Sequence, residues 1–251
     1  TPLYSSAASD VYKRQHAFIL PESWGNQVDQ VLFLTQLGYL DTRSKNAVFT
    51  PQVQFVGNGA DSRLFFPLDP EEKSKKRIEL GYSKADRILL WVSNPRPKKG
   101  LKLFVNLGKR LQAKYPELKI LIIGNSGDFN CPDQNWKALG KLPNQELAKY
   151  LQIGDFYCFT SLWNEGFGLS LIEAAKCGNQ VIASKIGGIP EVVHELPGSY
   201  LVPLPNQVEA WEAAFDQAWS EKDSFKADPE FLHSFHDVKE WLSRFMVALN
   251  S

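Results

Sequence analysis

ILLWVSNPRPKKGLKLFVNLGKRLQAKYPELKILII, residues 88–123, decides the fold. It opens on one apolar run, Ile88–Ser93, and closes on another, Leu118–Ile123, each the length of a strand. Between them Leu101 to Tyr115 places apolar side chains at 103, 104, 107 and 111, the 3.6-residue period of an amphipathic helix. Strand, helix, strand is a parallel pair with a crossover, and the strands lack alternation because both of their faces must be covered. Downstream the pattern repeats. Strands are predicted at Trp136–Gly140, Phe156–Thr160, Gln180–Ser184 and Ser199–Val202, and helices at Leu147–Leu151, Leu169–Cys177 and Val208–Trp219. The predicted class is α/β, a Rossmann-like parallel sheet with helices on both faces, over residues 86–230.

Working outward, residues 67–85 are charged and bounded by proline, and read as a linker running into a surface helix whose basic run is solvated. Residues 16–66 offer a strand at Ala17–Leu20, a helix at about 24–37 and a strand at Val53–Val56, too few elements for a core of their own. They read as the remnant of a preceding domain. The chain opens at Thr1 and its only methionine is Met246, so upstream sequence is expected to be missing. Residues 1–15 have no sustained apolar period and are set aside as a non-native or disordered leader. After Pro229, residues 231–251 form one or two helices with apolar positions at 238, 241, 242, 245, 246 and 249, a stripe that must pack on something.

Composition sets further bounds. With 251 residues, 43% of them hydrophobic, the chain can bury the core of one α/β domain and part of another. Lys plus Arg and Asp plus Glu both total 28, so no global field draws the protein to nucleic acid or to an anionic membrane. Any bound anion must be held by local geometry. No apolar run approaches the ~20 residues of a membrane span, and a cytoplasmic protein is expected. Cys131, Cys158 and Cys177 lack metal-ligand spacing and read as buried reduced thiols, and the four histidines form no ligand cluster, so no metal is expected.

The densest chemical signal is Asn164-Glu-Gly-Phe-Gly-Leu-Ser-Leu-Ile-Glu-Ala-Ala-Lys-Cys-Gly178, which turns a strand into a helix. Gly166 and Gly168 let the backbone approach a ligand, and first-turn N–H groups with the helix dipole form an anion site suited to a diphosphate. Glu165 lies on the loop, and Glu173 sits roughly 7 Å further along the helix axis. One carboxylate can meet a sugar while the other accepts from ribose hydroxyls. Two glutamates at this spacing are equally compatible with a helix-start residue and an exposed one.

These residues, with Gly154-Asp155-Phe156, Thr160-Ser161, Gly187-Gly-Ile-Pro-Glu-Val-Val193 and Val56-Gly-Asn-Gly-Ala-Asp61, resemble the retaining glycosyltransferases of the GT-B fold, family 4. The motifs follow that family's order over about 190 residues. The resemblance implies a cleft between two Rossmann-like domains, of which this chain carries the second, donor-binding one and part of the first. It places Glu165 against the transferred sugar, the backbone of Gly166, Phe167, Gly168 and Leu169 on sugar hydroxyls and diphosphate, and Glu173 on the ribose. Lys99 matches a lysine that neutralises the leaving diphosphate. Asn94 stands where the family places arginine, and Arg96 is expected to supply the missing charge. Leu142 lies where the family builds part of its base pocket, and Gly124-Asn-Ser-Gly127 resembles a turn that borders the nucleotide but reads equally as a plain strand-end turn. Lys176 and Gln180 also depart from the pattern, away from the chemistry.

The implied partners are a nucleotide-sugar donor, an acceptor that is a sugar, lipid or polysaccharide, and the missing N-terminal domain, with no nucleic acid. The implied reaction is sugar transfer with retention of anomeric configuration and no cofactor, by a chain inactive alone and peripheral at a membrane when full-length. No Asp-x-Asp metal clamp occurs. The alternative is a non-catalytic nucleotide-sugar binding module. A dehydrogenase is disfavoured because no G-x-G-x-x-G follows the first strand.

Overall fold

The computed structural model describes residues 28–46, 48–124 and 129–250. Six strands form one parallel sheet: β3 (Arg87–Val92), β4 (Leu118–Ile123), β5 (Trp136–Leu139), β6 (Phe156–Phe159), β7 (Gln180–Ser184) and β8 (Ser199–Val202). Their spatial order is β5-β4-β3-β6-β7-β8. The crossover helices are α3 (Leu101–Lys114), α4 (Asn144–Ile153), α5 (Leu169–Lys176) and α6 (Ile189–Val192), and α7 (Val208–Ser220) follows the last strand.

Period-two alternation within each strand sorts the apolar side chains to two faces. Ile88, Leu90, Leu121, Ile123, Tyr157 and Val181 pack toward α4, α5 and α6. Leu89, Trp91, Ile120, Ile122, Phe156 and Ile182 pack toward α3 and α7, through Phe104, Leu107, Trp211 and Phe215. Each of those large helix side chains is fully buried, and such burial stabilises by about 2 to 3 kcal/mol apiece. The two helices on that face are also laced by ion pairs from Arg110 to Glu209 and Glu212.

Before the sheet lie β1 (Gln30–Phe33), α1 (Gln36–Lys45), β2 (Gln52–Phe55) and α2 (Pro70–Glu79). The helix expected at about 24–37 is therefore corrected: Gln30–Phe33 pairs in parallel with Gln52–Phe55, and the helix starts only at Gln36. Thr35 fixes that start, accepting from the Gly38 N–H at 3.2 Å. The strand expected at Ala17–Leu20 lies outside the described residues. The basic run in α2 is also not wholly solvated, because Arg77 is buried and donates to the Ile153 carbonyl and to Asp155.

The C-terminal segment is two helices, α8 (Pro229–Ser234) and α9 (Val238–Leu249). Between them the chain pairs with the upstream segment: Ala60 N–H donates to the His236 carbonyl, and Val238 N–H to that of Ala60. Lys176, at the end of α5, is fully buried and donates to the carbonyls of Leu232, His233 and Phe235 at 2.7, 3.0 and 2.6 Å. One ammonium thus caps α8 and pins the returning chain. On α9, Leu242, Met246 and Leu249 remain exposed. Cys158 and Cys177 are buried thiols, whereas Cys131 is exposed, against expectation.

Candidate active site

The strand order reverses direction between β3 and β6, one leading outward to β4 and β5, the other to β7 and β8. In open parallel sheets the crevice outside the carboxyl ends at such a point is where ligands bind. Here the flanking loops, 93–100 and 160–168, are fastened together. Leu162 N–H donates to the Lys98 carbonyl at 2.7 Å, and the Thr160 hydroxyl donates to that of Lys99 at 2.9 Å while accepting from the Trp91 indole. Gly100 makes this contact possible: its φ is +74°, and a Cβ there would run into the Thr160 carbonyl oxygen.

The fastening delivers two charges to one point. Lys99 Nζ lies 2.6 Å from Glu165 Oε1, and the Ser161 hydroxyl donates to the same oxygen at 2.6 Å. The side chains are 20% and 10% exposed, so the pair is largely withdrawn from water and its charge-assisted bonds are strong. Lys99 also sits 5.8 Å from the centre of the Phe159 ring. The Glu165 carbonyl accepts from the Gly188 N–H at 2.8 Å, which presses the Gly187-Gly188 turn against the loop. From the other side, the Thr35 hydroxyl reaches the Gly166 carbonyl at 3.4 Å, and both carboxylate oxygens of Glu191 accept from Gln36 N–H at the start of α1.

α5 begins immediately after this loop, with Gly168 as its N-cap in the left-handed region at φ +83°. Leu169 and Ser170 open its first turn. Phe167 turns its side chain into the core, edge-on to His236 at 5.1 Å and beside Gly57, so its ring faces away from the crevice. Glu173 sits on the next turn of α5, and its carboxylate makes no hydrogen bond or ion pair among the described residues. Burial alone pushes its carboxyl up to about 7. Close by, the Tyr157 hydroxyl lies 2.9 Å from Ser170 Oγ and 3.3 Å from the Val92 carbonyl, and burial raises it above the usual phenol range.

Lys99, Glu165, Gly166, Gly168, Leu169 and Glu173 are therefore gathered at the carboxyl end of the sheet's central strands. Arg96 and Asn94 are exposed, and their side chains make no hydrogen bond or ion pair among the described residues. Leu142 lies beyond β5, half-buried on the edge of the core. Of the turn at 124–127 only Gly124 is described, and its N–H donates to the carbonyls of Leu139 and Gly140. Sequence reasoning missed Ser161, Tyr157 and Ser170 as parts of the site. Among the described residues no three His, Cys, Asp or Glu side chains are placed to hold a metal, and no helix is long and apolar enough to cross a membrane.

Residues 72–229 match a family model described as glycosyl transferases group 1. The chain belongs to this family. Among curated group 1 relatives, a GDP-mannose-dependent monoacylated alpha-(1-6)-phosphatidylinositol monomannoside mannosyltransferase of Corynebacterium glutamicum is 30% identical over 189 residues, covering 69% of this chain and 49% of that protein. An N-acetyl-alpha-D-glucosaminyl L-malate synthase of Bacillus anthracis is 32% identical over 158 residues, covering 59% of this chain and 40% of that protein. This group 1 chain thus spans half or less of the length of these relatives. Among solved structures, Anabaena HepE in complex with UDP and glucose superposes with a TM-score of 0.75 at 19% identity, covering 91% of this chain and 64% of that one. Sucrose-phosphate synthase from Thermosynechococcus elongatus gives 0.73 at 21%, covering 88% and 58%. At these identities the likeness speaks for the fold, the parallel α/β half of the GT-B architecture.

Proposed function

We propose that this chain carries the donor site of a glycosyltransferase that moves a sugar from a nucleoside diphosphate to an acceptor with retention of anomeric configuration. The observation that carries the reading is the meeting of Lys99 and Glu165 at the sheet's switch point, beside the first turn of α5 and within one helix turn or so of the unpartnered Glu173. Breaking the anomeric C–O bond puts positive charge on the sugar ring and negative charge on the departing phosphate. A fixed cation and helix N–H groups at the phosphate favour that separation more than the ground state. Lys99 fills the first role without a metal, and the α5 N-terminus the second. Glu165 holds Lys99 in place; when donor binds, Lys99 is shared with the diphosphate and Glu165 turns to the sugar. Glu173 accepts from ribose hydroxyls.

In this proposal residues 86–230 form the donor-binding unit, 67–85 the linker, 16–66 part of the acceptor-side domain, and 231–251 the segment returning toward it. The acceptor side is completed by chain not present here, so this piece binds donor without turning it over. Retention and membership of family 4 rest on the motif resemblance. The buried thiols Cys158 and Cys177 support a reducing, cytoplasmic setting, with peripheral membrane attachment when the acceptor is a lipid. The names of one relative, which cites GDP-mannose, and of a structural neighbour, which cites UDP, frame the test. Calorimetry with UDP, GDP and ADP is expected to show saturable binding of at least one; absence of binding by all three rejects the reading. The exposed position of Arg96 and the asparagine at 94 favour a second reading, a binding module without turnover. A longer chain that binds the nucleotide sugar and transfers nothing would decide for it.

A further inference from the structure

At the opposite end of the sheet, the amino ends of β3, β6 and β7 border a cavity of about 370 Å³. Its charged walls are Lys73, Arg77, Lys84, Arg87, Lys222 and Asp155. Asp155 is the hub, with Arg77 at 2.6 Å, Lys73 at 3.3 Å and Arg87 at 3.7 Å, and it also accepts from the Ile88 N–H at 2.9 Å. One carboxylate cannot balance three cations. Asp223 reaches Arg87 and Lys222 from the rim, but its own side chain is 68% exposed, so water screens much of that attraction. Counting both acids against the five cations of the lining leaves an excess of three positive charges.

The two innermost cations are held rather than loose. The Arg77 side chain is 5% exposed and fixed by Ile153, Lys84 and Asp155. Lys73 donates to the Gly154 carbonyl at 2.5 Å, and burial, opposed by Asp155 but reinforced by Arg77 and Arg87, keeps its ammonium below the usual lysine range. Pro67 and Phe225 add apolar wall on one side. A half-enclosed cradle with a fixed floor and unbalanced positive charge recognises a compact dianion. From this geometry we infer that the cavity is a second anion site, which binds a phosphate group, free or as the monoester of a small sugar. The site is separate from the Lys99/Glu165 pair. Asp155 and Thr160 stand at the two ends of β6, about 16 Å apart at the rise of a parallel strand. The inference does not depend on the proposed transferase activity.

The test is thermal unfolding of this chain in phosphate, and in a hexose monophosphate, against chloride at equal ionic strength. A saturable rise in Tm is expected, since a ligand of the native state alone stabilises in proportion to its occupancy. Lys84→Ala and Lys222→Ala remove rim cations not bonded to Asp155, and each is expected to weaken the response about tenfold in concentration. Lys99→Ala is expected to leave it in place. Stronger binding of the monoester than of phosphate assigns the Pro67 and Phe225 wall to an organic group; equal binding assigns the site to free phosphate. No saturable rise overturns the inference. So does a rise that survives both rim variants, or one that vanishes in Lys99→Ala and thereby belongs to the other end of the sheet.

Discussion

Replacing Glu173 by glutamine is expected to make the protein more stable, and to do so only above a definite pH. In the fold, burial lifts this carboxyl from 4.5 to about 7, and no donor offsets the lost hydration. A group whose folded value lies above its unfolded value stabilises fully below the unfolded value and loses that contribution as pH rises through the folded one. The shift corresponds to on the order of 3 kcal/mol, present in full at pH 4 and absent by pH 8. Glutamine mimics the protonated state at every pH. Urea unfolding should therefore find Glu173→Gln equal to the parent near pH 4 and more stable by up to about 3 kcal/mol near pH 8. The same strain predicts a proton inventory for binding. Below about pH 7 a ribonucleoside diphosphate that needs the ionised carboxylate must expel a proton, so affinity should climb with pH toward that value and then level off. Calorimetry in two buffers of different ionisation enthalpy reads the proton directly. A glutamine variant less stable than the parent at pH 8, or binding that neither releases a proton below pH 7 nor suffers in the variant, would refute this account of Glu173.

Three other outcomes are expected. Lys99→Ala should weaken nucleoside diphosphate binding by roughly 1 to 3 kcal/mol in calorimetry and leave the bare nucleoside unaffected, whereas the exposed Arg96→Ala should show a smaller loss. Lys176→Met keeps the stem's volume but strips the carbonyls of Leu232, His233 and Phe235 of their donor, at a cost of about 2 to 4 kcal/mol in denaturant unfolding. Gly100→Ala combines a positive φ with a backbone clash and should lose more than about 1 kcal/mol of stability together with diphosphate affinity, because Lys99 is its neighbour.

The sheet was legible because its strands are short, apolar on both faces and separated by helices of clear period. Their observed limits differ from expectation by a residue at most, as in Arg87–Val92 against Ile88–Ser93. The upstream segment was misread for a physical reason. Val28, Val31 and Leu32 satisfy a helical period as readily as a strand, and only pairing with Gln52–Phe55, 22 residues away in sequence, decides between them. In the site, the glycines and the two glutamates stood out through their place in the family's motif, since the spacing of the two carboxylates alone fits a helix-start and an exposed residue equally well. Ser161 did not, since a hydroxyl bonded to Glu165 has no local signature. Nor did the burial of Lys73, Arg77 and Lys176 show, as nothing near a lysine or arginine in sequence announces an acceptor brought from 56 to 82 residues away.

The bond between Leu162 and Lys98, and that between Thr160 and Lys99, tie two stretches of chain that lie more than sixty residues apart into a single solid part. That has a bearing on how such a site can be altered. A loop transplanted from a relative with arginine at position 94 would arrive without the segment shaped to receive it, and a new segment after β6 would lack its mate. Whoever wishes to retune what this site binds must exchange both stretches together, keeping Gly100 where they touch.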